Sequence, residues 1–338
     1  MATARIAFID YVKAFSIIAV VFTHCQFTEL QRTHILFTLV INMAVPLFMI
    51  ITGYNYAKSN FIQNCGLLFN INDVISTIKK ILRITLPYSI IFLLEYFACT
   101  MDQHSIFTYF INGGIGPGSY YFPVMLQIIL IFPFIYRIIL KYNIKGLLGL
   151  FLLEFFCIFL FVKFNLNLGT YRILSIRYIS LVSIGTYMAL NYEKINIKKM
   201  YMMFICGLFV ILCLIYGNSQ YCCYPYIKEY WSYSAGLPLV LYIFPLFYLL
   251  FNYYADKKIK NWGENALQII GKASWHIMLF QMFYYTAVPF VNKNNLYIDI
   301  ILNLLICISV GTLFYALDTK FISGKLISRL KQIMSKSE

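Results

Sequence analysis

The sequence predicts an all-α polytopic membrane protein: a bundle of about ten transmembrane helices with both termini in the cytoplasm. Three observations carry this. Of the 338 residues, 61% are hydrophobic and 12% charged, against about 25% charged in ordinary soluble domains. Apolar runs of about 20 residues, each long enough to cross the hydrocarbon core, recur from one end to the other. Basic residues cluster on alternate connections between those runs, as the positive-inside rule requires. The 31 Phe and 29 Tyr residues suit a chain with much lipid-facing and interfacial surface.

In order, spans are expected at 9–27, 35–56, 84–101, 119–140, 146–164, 173–191, 200–217, 234–254, 269–290 and 297–317. The first is too long for a signal peptide and no small-residue cleavage site follows it, so it is expected to stay in the protein. Lys58, Lys79, Lys80 and Arg83 separate the second from the third. A glycine-rich stretch leads into the fourth, and Lys141 and Lys145 divide it from the fifth. Lys194, Lys198 and Lys199 follow the sixth, and Lys257, Lys258 and Lys260 precede the ninth. Lys320, Lys325, Arg329, Lys331 and Lys336 follow the tenth. With the N-terminus inside, only Arg32, Lys163, Arg172, Lys228 and Lys293 fall outside, and Arg177 lies within a span.

The net charge of +14 is therefore topological and does not indicate a nucleic-acid partner. The longest polar stretches, 57–83, 102–118, 218–233 and 255–268, are each too short to bury a core. One membrane domain is expected over 1–338, with its chemistry inside the bundle or at its mouths. The nine cysteines fall mostly inside spans, as at Cys99, Cys157, Cys206, Cys213 and Cys307. There a free thiol behaves as a small hydrophobe. Pairing of Cys222 and Cys223, in an outward loop, stays open. No metal-ligand cluster is visible, and no metal is expected.

Polar groups inside spans are the candidates for function, because each is costly in hydrocarbon unless paired or hydrated. The first span carries Asp10, Lys13 and His24. Lys13 and His24 differ by eleven helical steps, which return to within about 20° of the same direction, roughly 16 Å further along the axis. The two groups thus address one space at two depths. A neutral imidazole can take a proton from a hydroxyl and return it; the bland reading is a histidine bonded to a neighbouring helix. Cys25 points about 100° away from His24, against a Cys-His dyad. Asp10 and Lys13 form either an i,i+3 ion pair or an anion seat that Asp10 orients.

Lys80 and Arg83 share a face at the mouth of the third span, and Arg suits bidentate phosphate recognition. With Lys13 they would line a basic cytoplasmic cleft fit for a phosphorylated carrier. Gly113-Gly114-Ile115-Gly116-Pro117-Gly118-Ser119-Tyr120-Tyr121 favours tight turns or close approach to a ligand. Ser119, Tyr120 and Tyr121 are candidates for substrate contact, although aromatics there also suit an interfacial belt. His276 reads as an interfacial or packing residue near the start of the ninth span. Glu95, Glu154, Arg177 and Gln281 are embedded polar groups, of which Glu95 and Arg177 could neutralise each other.

These residues resemble those of a known family. Ile9-Asp10-x-x-Lys13-x10-His24 is similar to the Arg/Lys-x10-His signature of the acyltransferase 3 family of integral membrane acyltransferases. Val45-Pro46-Leu47-Phe48 through Thr52-Gly53-Tyr54 resembles its second span, and Lys80-x-x-Arg83 with Pro87-Tyr88 its basic motif before the third. Arg177-Tyr178-Ile179-Ser180-Leu181 through Gly185 resembles an arginine-led middle span, and Gly271-x-x-Ser274 its ninth. The order of the motifs spans nearly the whole chain.

The resemblance implies transfer of an acyl group, often acetyl, from cytoplasmic acyl-CoA to a hydroxyl of an envelope glycan or related acceptor. It makes His24 the essential histidine and places Lys13 and Arg83 with the donor. Lys80 is expected to share the CoA phosphates, and Asp10 and the Ser119–Tyr121 segment to contact substrate. The sequence departs from the family at Gln281, where many members carry histidine, and at Asp318, where a glutamate commonly ends the last span. The competing class is a transporter or flippase for a glycan or lipid-linked sugar, which explains ten spans and a polar interior without catalysis.

Overall fold

The computed structural model describes residues 7–25, 27–28, 37–59, 71–99, 106–216, 237–254, 262–288 and 296–322. Helices occupy them almost throughout, and among the described residues there is no strand. Helix α1 runs Ala7–Thr23, the short α2 Phe37–Val40 and α3 Ala44–Lys58. Then come α4 (Ile71–Ala98), α5 (Ile106–Asn112), α6 (Tyr121–Lys163) and α7 (Leu168–Ile173). A 3-10 turn at Ser175–Tyr178 leads into α8 (Ile179–Asn191). The chain continues through α9 (Ile197–Tyr216), α10 (Leu237–Tyr254), α11 (Trp262–Ala287) and α12 (Leu296–Leu317), which closes in a π-helical turn at Asp318–Ile322.

Each expected span meets a helix, but the boundaries move. The first ends at Thr23, earlier than expected, so His24 occupies a turn just past the helix. The third begins at Ile71, and the ninth at Trp262, which puts His276 near the middle of α11 instead of at its end. The fourth and fifth are run together in α6, 43 residues long. A straight helix of that length would extend about 65 Å, twice the hydrocarbon thickness. It breaks at Asn143, whose φ of 52° and ψ of −127° lie outside helical values. The bend is sharp enough that a side chain on Gly146 would collide with the Ile138 carbonyl. By length and composition, three helical stretches among the described residues are long and apolar enough to cross a membrane: Val74–Ala98, Tyr121–Lys163 and Tyr297–Ile322.

The surface is inverted relative to a soluble protein. Leu152, Phe156, Phe159, Met202, Ile205, Phe209, Ile301 and Leu305 are exposed, whereas Asp10, Glu95, Glu154, Arg177, Gln281 and Asp318 are buried. Apolar side chains facing outward over whole helices lose nothing against lipid tails, whereas Glu95, Glu154 and Asp318 each find an internal hydrogen-bond partner.

Two helix pairs frame the interior. Helices α3 and α8 pack backbone to backbone, because Gly53 lies against the Val182 carbonyl and Gly185 against the Ile50 carbonyl. Any side chain at either glycine would occupy the partner's main chain, which is how small residues let membrane helices approach. Helices α1 and α11 run side by side, with Gly271 against the Asp10 backbone and Tyr285 against Val21. Phe8 anchors the start of α1 in an aromatic cluster with Phe247, Phe251 and Tyr254 of α10. The loop 218–233 with Cys222 and Cys223 lies outside the described residues, as do both chain ends and the basic residues 257–260.

Candidate active site

Two neighbouring cavities, each of about 190 Å³, open along α1. His24 borders the first with Val20, Thr23, Asn42, Ala44, Gly118 and Tyr120. Lys13 borders the second with Thr52, Asn55, Tyr56, Ser274 and Trp275. Phe48, Tyr121 and Met278 belong to both walls and form the boundary between the two. The helical spacing of Lys13 and His24 is thus expressed as two ends of one divided space.

The His24 end is apolar with a few hydrogen-bonding groups. Its amide donates to the Val21 carbonyl at 3.2 Å, continuing the last turn of α1. Its ring packs on Tyr285, centroid to centroid 5.7 Å. Neither ring nitrogen is hydrogen-bonded to a described residue, so among the described residues no carboxylate backs the imidazole. Cys25 turns the other way: its Sγ lies 3.8 Å from the Tyr285 hydroxyl and 4.0 Å from Asn303 Nδ2. Those positions exclude a Cys-His pair, as the angular argument anticipates.

At the Lys13 end, the Lys80 ammonium sits 4.2 Å above the Tyr56 ring, within cation–π range. Tyr56 lines the cavity, so Lys80 reaches it across an aromatic wall. Arg83 is exposed one turn further on, and acts electrostatically on both Lys80 and Tyr56. Asp10 is buried but lines neither cavity. Of the glycine-rich segment's candidates, Tyr120 lines the first cavity and Tyr121 both. Ser119 lines neither and serves the turn, its amide donating to the Gly116 carbonyl at 3.1 Å.

The glycines have an internal purpose. Gly113, Gly114 and Gly118 take φ values of 96°, 103° and 85°, open to glycine and strained for other residues. The turn closes over Glu95, whose Oε2 accepts from the Ile115 amide at 3.3 Å and is approached by that of Gly116. The group the loop approaches closely is this buried carboxylate. Glu95 is therefore occupied away from Arg177, and the pairing of those two is corrected. Arg177 acts electrostatically on Glu154 and lies over the rings of Tyr171 and Tyr178, at 5.6 and 5.0 Å. Glu154 in turn accepts the Ser180 amide at 2.7 Å, at the start of α8.

His276 bonds Asp318 of the π turn, Nε2 to Oδ2 3.0 Å, between Phe314 and Tyr315. It joins α11 to α12 and does not line either cavity. Among the described residues no group of three His, Cys, Asp or Glu side chains could hold a metal ion. Tyr56, Asn42 and Tyr285 escaped the sequence reading, since an aromatic or amide in a span carries no mark of what it faces.

The acyltransferase-domain family model matches residues 6–326. The chain belongs to the acyltransferase 3 family. It is a membrane protein, and its family is one of membrane acyltransferases. Comparisons with curated proteins and with solved structures give no match. The acyltransferase match runs from just before α1 to just past the π turn, so it embraces both cavities and every residue around them.

Proposed function

We propose that this acyltransferase moves a short acyl group, acetyl in the simplest case, from acyl-CoA to a hydroxyl of an envelope glycan or related acceptor. The observation that carries this reading is the divided cavity along α1, with a cation at one end and an unbacked imidazole at the other. Lys80 and Arg83, with Lys13, supply positive charge for the CoA phosphates. The pantetheine arm would pass Phe48, Tyr121 and Met278 and deliver the thioester carbonyl to His24. The offset of about 16 Å between Lys13 and His24 suits such an arm.

His24 takes the acceptor's hydroxyl proton as its oxygen bonds to the thioester carbon. The tetrahedral intermediate then collapses, the carbon–sulfur bond breaks, and the imidazolium returns the proton to the leaving thiolate. The products are an ester and free CoA. Asn42, Tyr120 and Tyr121, which line the same cavity, carry side-chain donors that could serve the transient oxyanion. The donor is read as approaching from the cytoplasm, with both termini on that side, because this follows from the distribution of basic residues.

The test uses purified protein, acetyl-CoA and the glycan fraction of envelopes from cells lacking the protein. Thioester consumption with an acetyl mass added to the glycan supports transfer; His24→Ala should bind acetyl-CoA and keep only a residual transfer, slower by a factor of about 10²–10⁴. Undiminished transfer by His24→Ala would remove His24 from the mechanism. Glycan translocation with no mass change would replace the enzyme by a transporter.

A further inference from the structure

We propose that Tyr285 is the positioning residue for His24, doing through packing and one backbone contact what a carboxylate does for a histidine in a triad. This rests on the reading of His24 as the base. A histidine that must accept a proton in a fixed direction needs its ring held, and that is commonly done by a hydrogen bond to the second nitrogen. Here neither ring nitrogen is bonded to a described residue. His24 also stands beyond the last residue of α1, where helix ends fray unless secured.

Tyr285 secures both parts. Its ring lies against the imidazole, 5.7 Å between centroids and tilted by 58°. Its hydroxyl donates to the Val21 carbonyl at 3.1 Å. That same carbonyl accepts the His24 amide at 3.2 Å, so one oxygen ties the His24 backbone to α11. The tyrosine hydroxyl is held from behind by a polar chain crossing to α12. Cys25 Sγ lies 3.8 Å from it, Asn303 Nδ2 4.0 Å from that sulfur, and the Tyr284 hydroxyl donates to Asn303 Oδ1 at 2.9 Å. Three helices thus meet there, α1 through Val21, α11 through Tyr284 and Tyr285, and α12 through Asn303.

A double-mutant cycle tests this with purified protein, acetyl-CoA and the envelope glycan fraction. Tyr285→Leu should lower kcat by about a hundredfold, the scale of a displacement of about 1 Å at a reacting group, with the KM for acetyl-CoA unchanged. Tyr285→Phe keeps the ring and loses the Val21 bond, so it should recover about tenfold of that loss. Because Tyr285 acts through His24, adding Tyr285→Leu to His24→Ala should cost nothing more. A further fall in the double variant, multiplying the two single losses, overturns the proposal while leaving His24 as base. Wild-type kcat in Tyr285→Leu, or a loss confined to KM, overturns it equally. Full transfer by His24→Ala instead sinks the base itself. If Tyr285→Leu fails to fold, Tyr285→Phe decides alone: a reduced kcat at constant KM supports the proposal, and a wild-type kcat overturns it.

Discussion

At the scale of single residues, the proposed reaction divides the site into groups that would meet the donor and one that would do chemistry. Lys80 lies behind Tyr56 and Arg83 faces outward, so under the proposed function the two cations would reach a CoA phosphate from different depths. Arg83→Ala should raise the KM for acetyl-CoA about tenfold with kcat nearly unchanged, the mark of lost uniform binding. Steady-state kinetics with varied acetyl-CoA check this; a kcat loss at constant KM would remove Arg83 from donor binding. Lys80→Met, which keeps the apolar stem against Tyr56, should behave the same way. The residue pattern alone pointed to Lys13, His24, Lys80 and Arg83, because ionisable groups in spans are expensive and stand out. It did not reveal Tyr56 or Tyr285, whose roles depend on which face of a neighbouring helix they meet.

At the scale of elements, the helices are held by contacts that tolerate little change. Gly185 lies against the Ile50 carbonyl and Gly53 against that of Val182, so α3 and α8 cannot separate without losing the wall that carries Phe48 and Thr52. Gly185→Ala should cost about 1–3 kcal/mol by overpacking, visible as a lower unfolding temperature in detergent. An unchanged temperature would mean that the two helices already have room to shift. The His276–Asp318 bond joins α11 to the π turn of α12. Asp318→Ala leaves a buried imidazole nitrogen without that acceptor, at about 1–3 kcal/mol. Asp318→Asn retains an acceptor oxygen and should be milder. Equal unfolding temperatures for the two variants would argue against the bond as the stabilising feature.

At the scale of the whole molecule, outward-facing apolar side chains and buried charges leave one environment for the bundle, the bilayer. The distribution of basic residues predicts that reporters active only in the cytoplasm will work when fused at either end. Activity at one end alone would give an odd number of crossings and reverse the side assigned to Lys13 or to the C-terminus. Much of this architecture was legible beforehand, since apolar runs and their basic flanks are local features of the chain. The joining of two expected spans into α6 was not, because a bend at Asn143 depends on a backbone angle that asparagine adopts only in context.

Composition and spacing determined that the chain is helical and membrane-embedded, and that Lys13 and His24 stand eleven residues apart along the first span. Those properties follow from hydrophobic length and helical periodicity, which are fixed within each segment. Tertiary packing decided what lies in front of them: a space divided by Phe48, Tyr121 and Met278. It also decided that the glycine-rich turn encloses Glu95 and that Arg177 acts on Glu154. Each of these brings together residues from separate helices, and no periodicity within one segment can specify which neighbour it will meet.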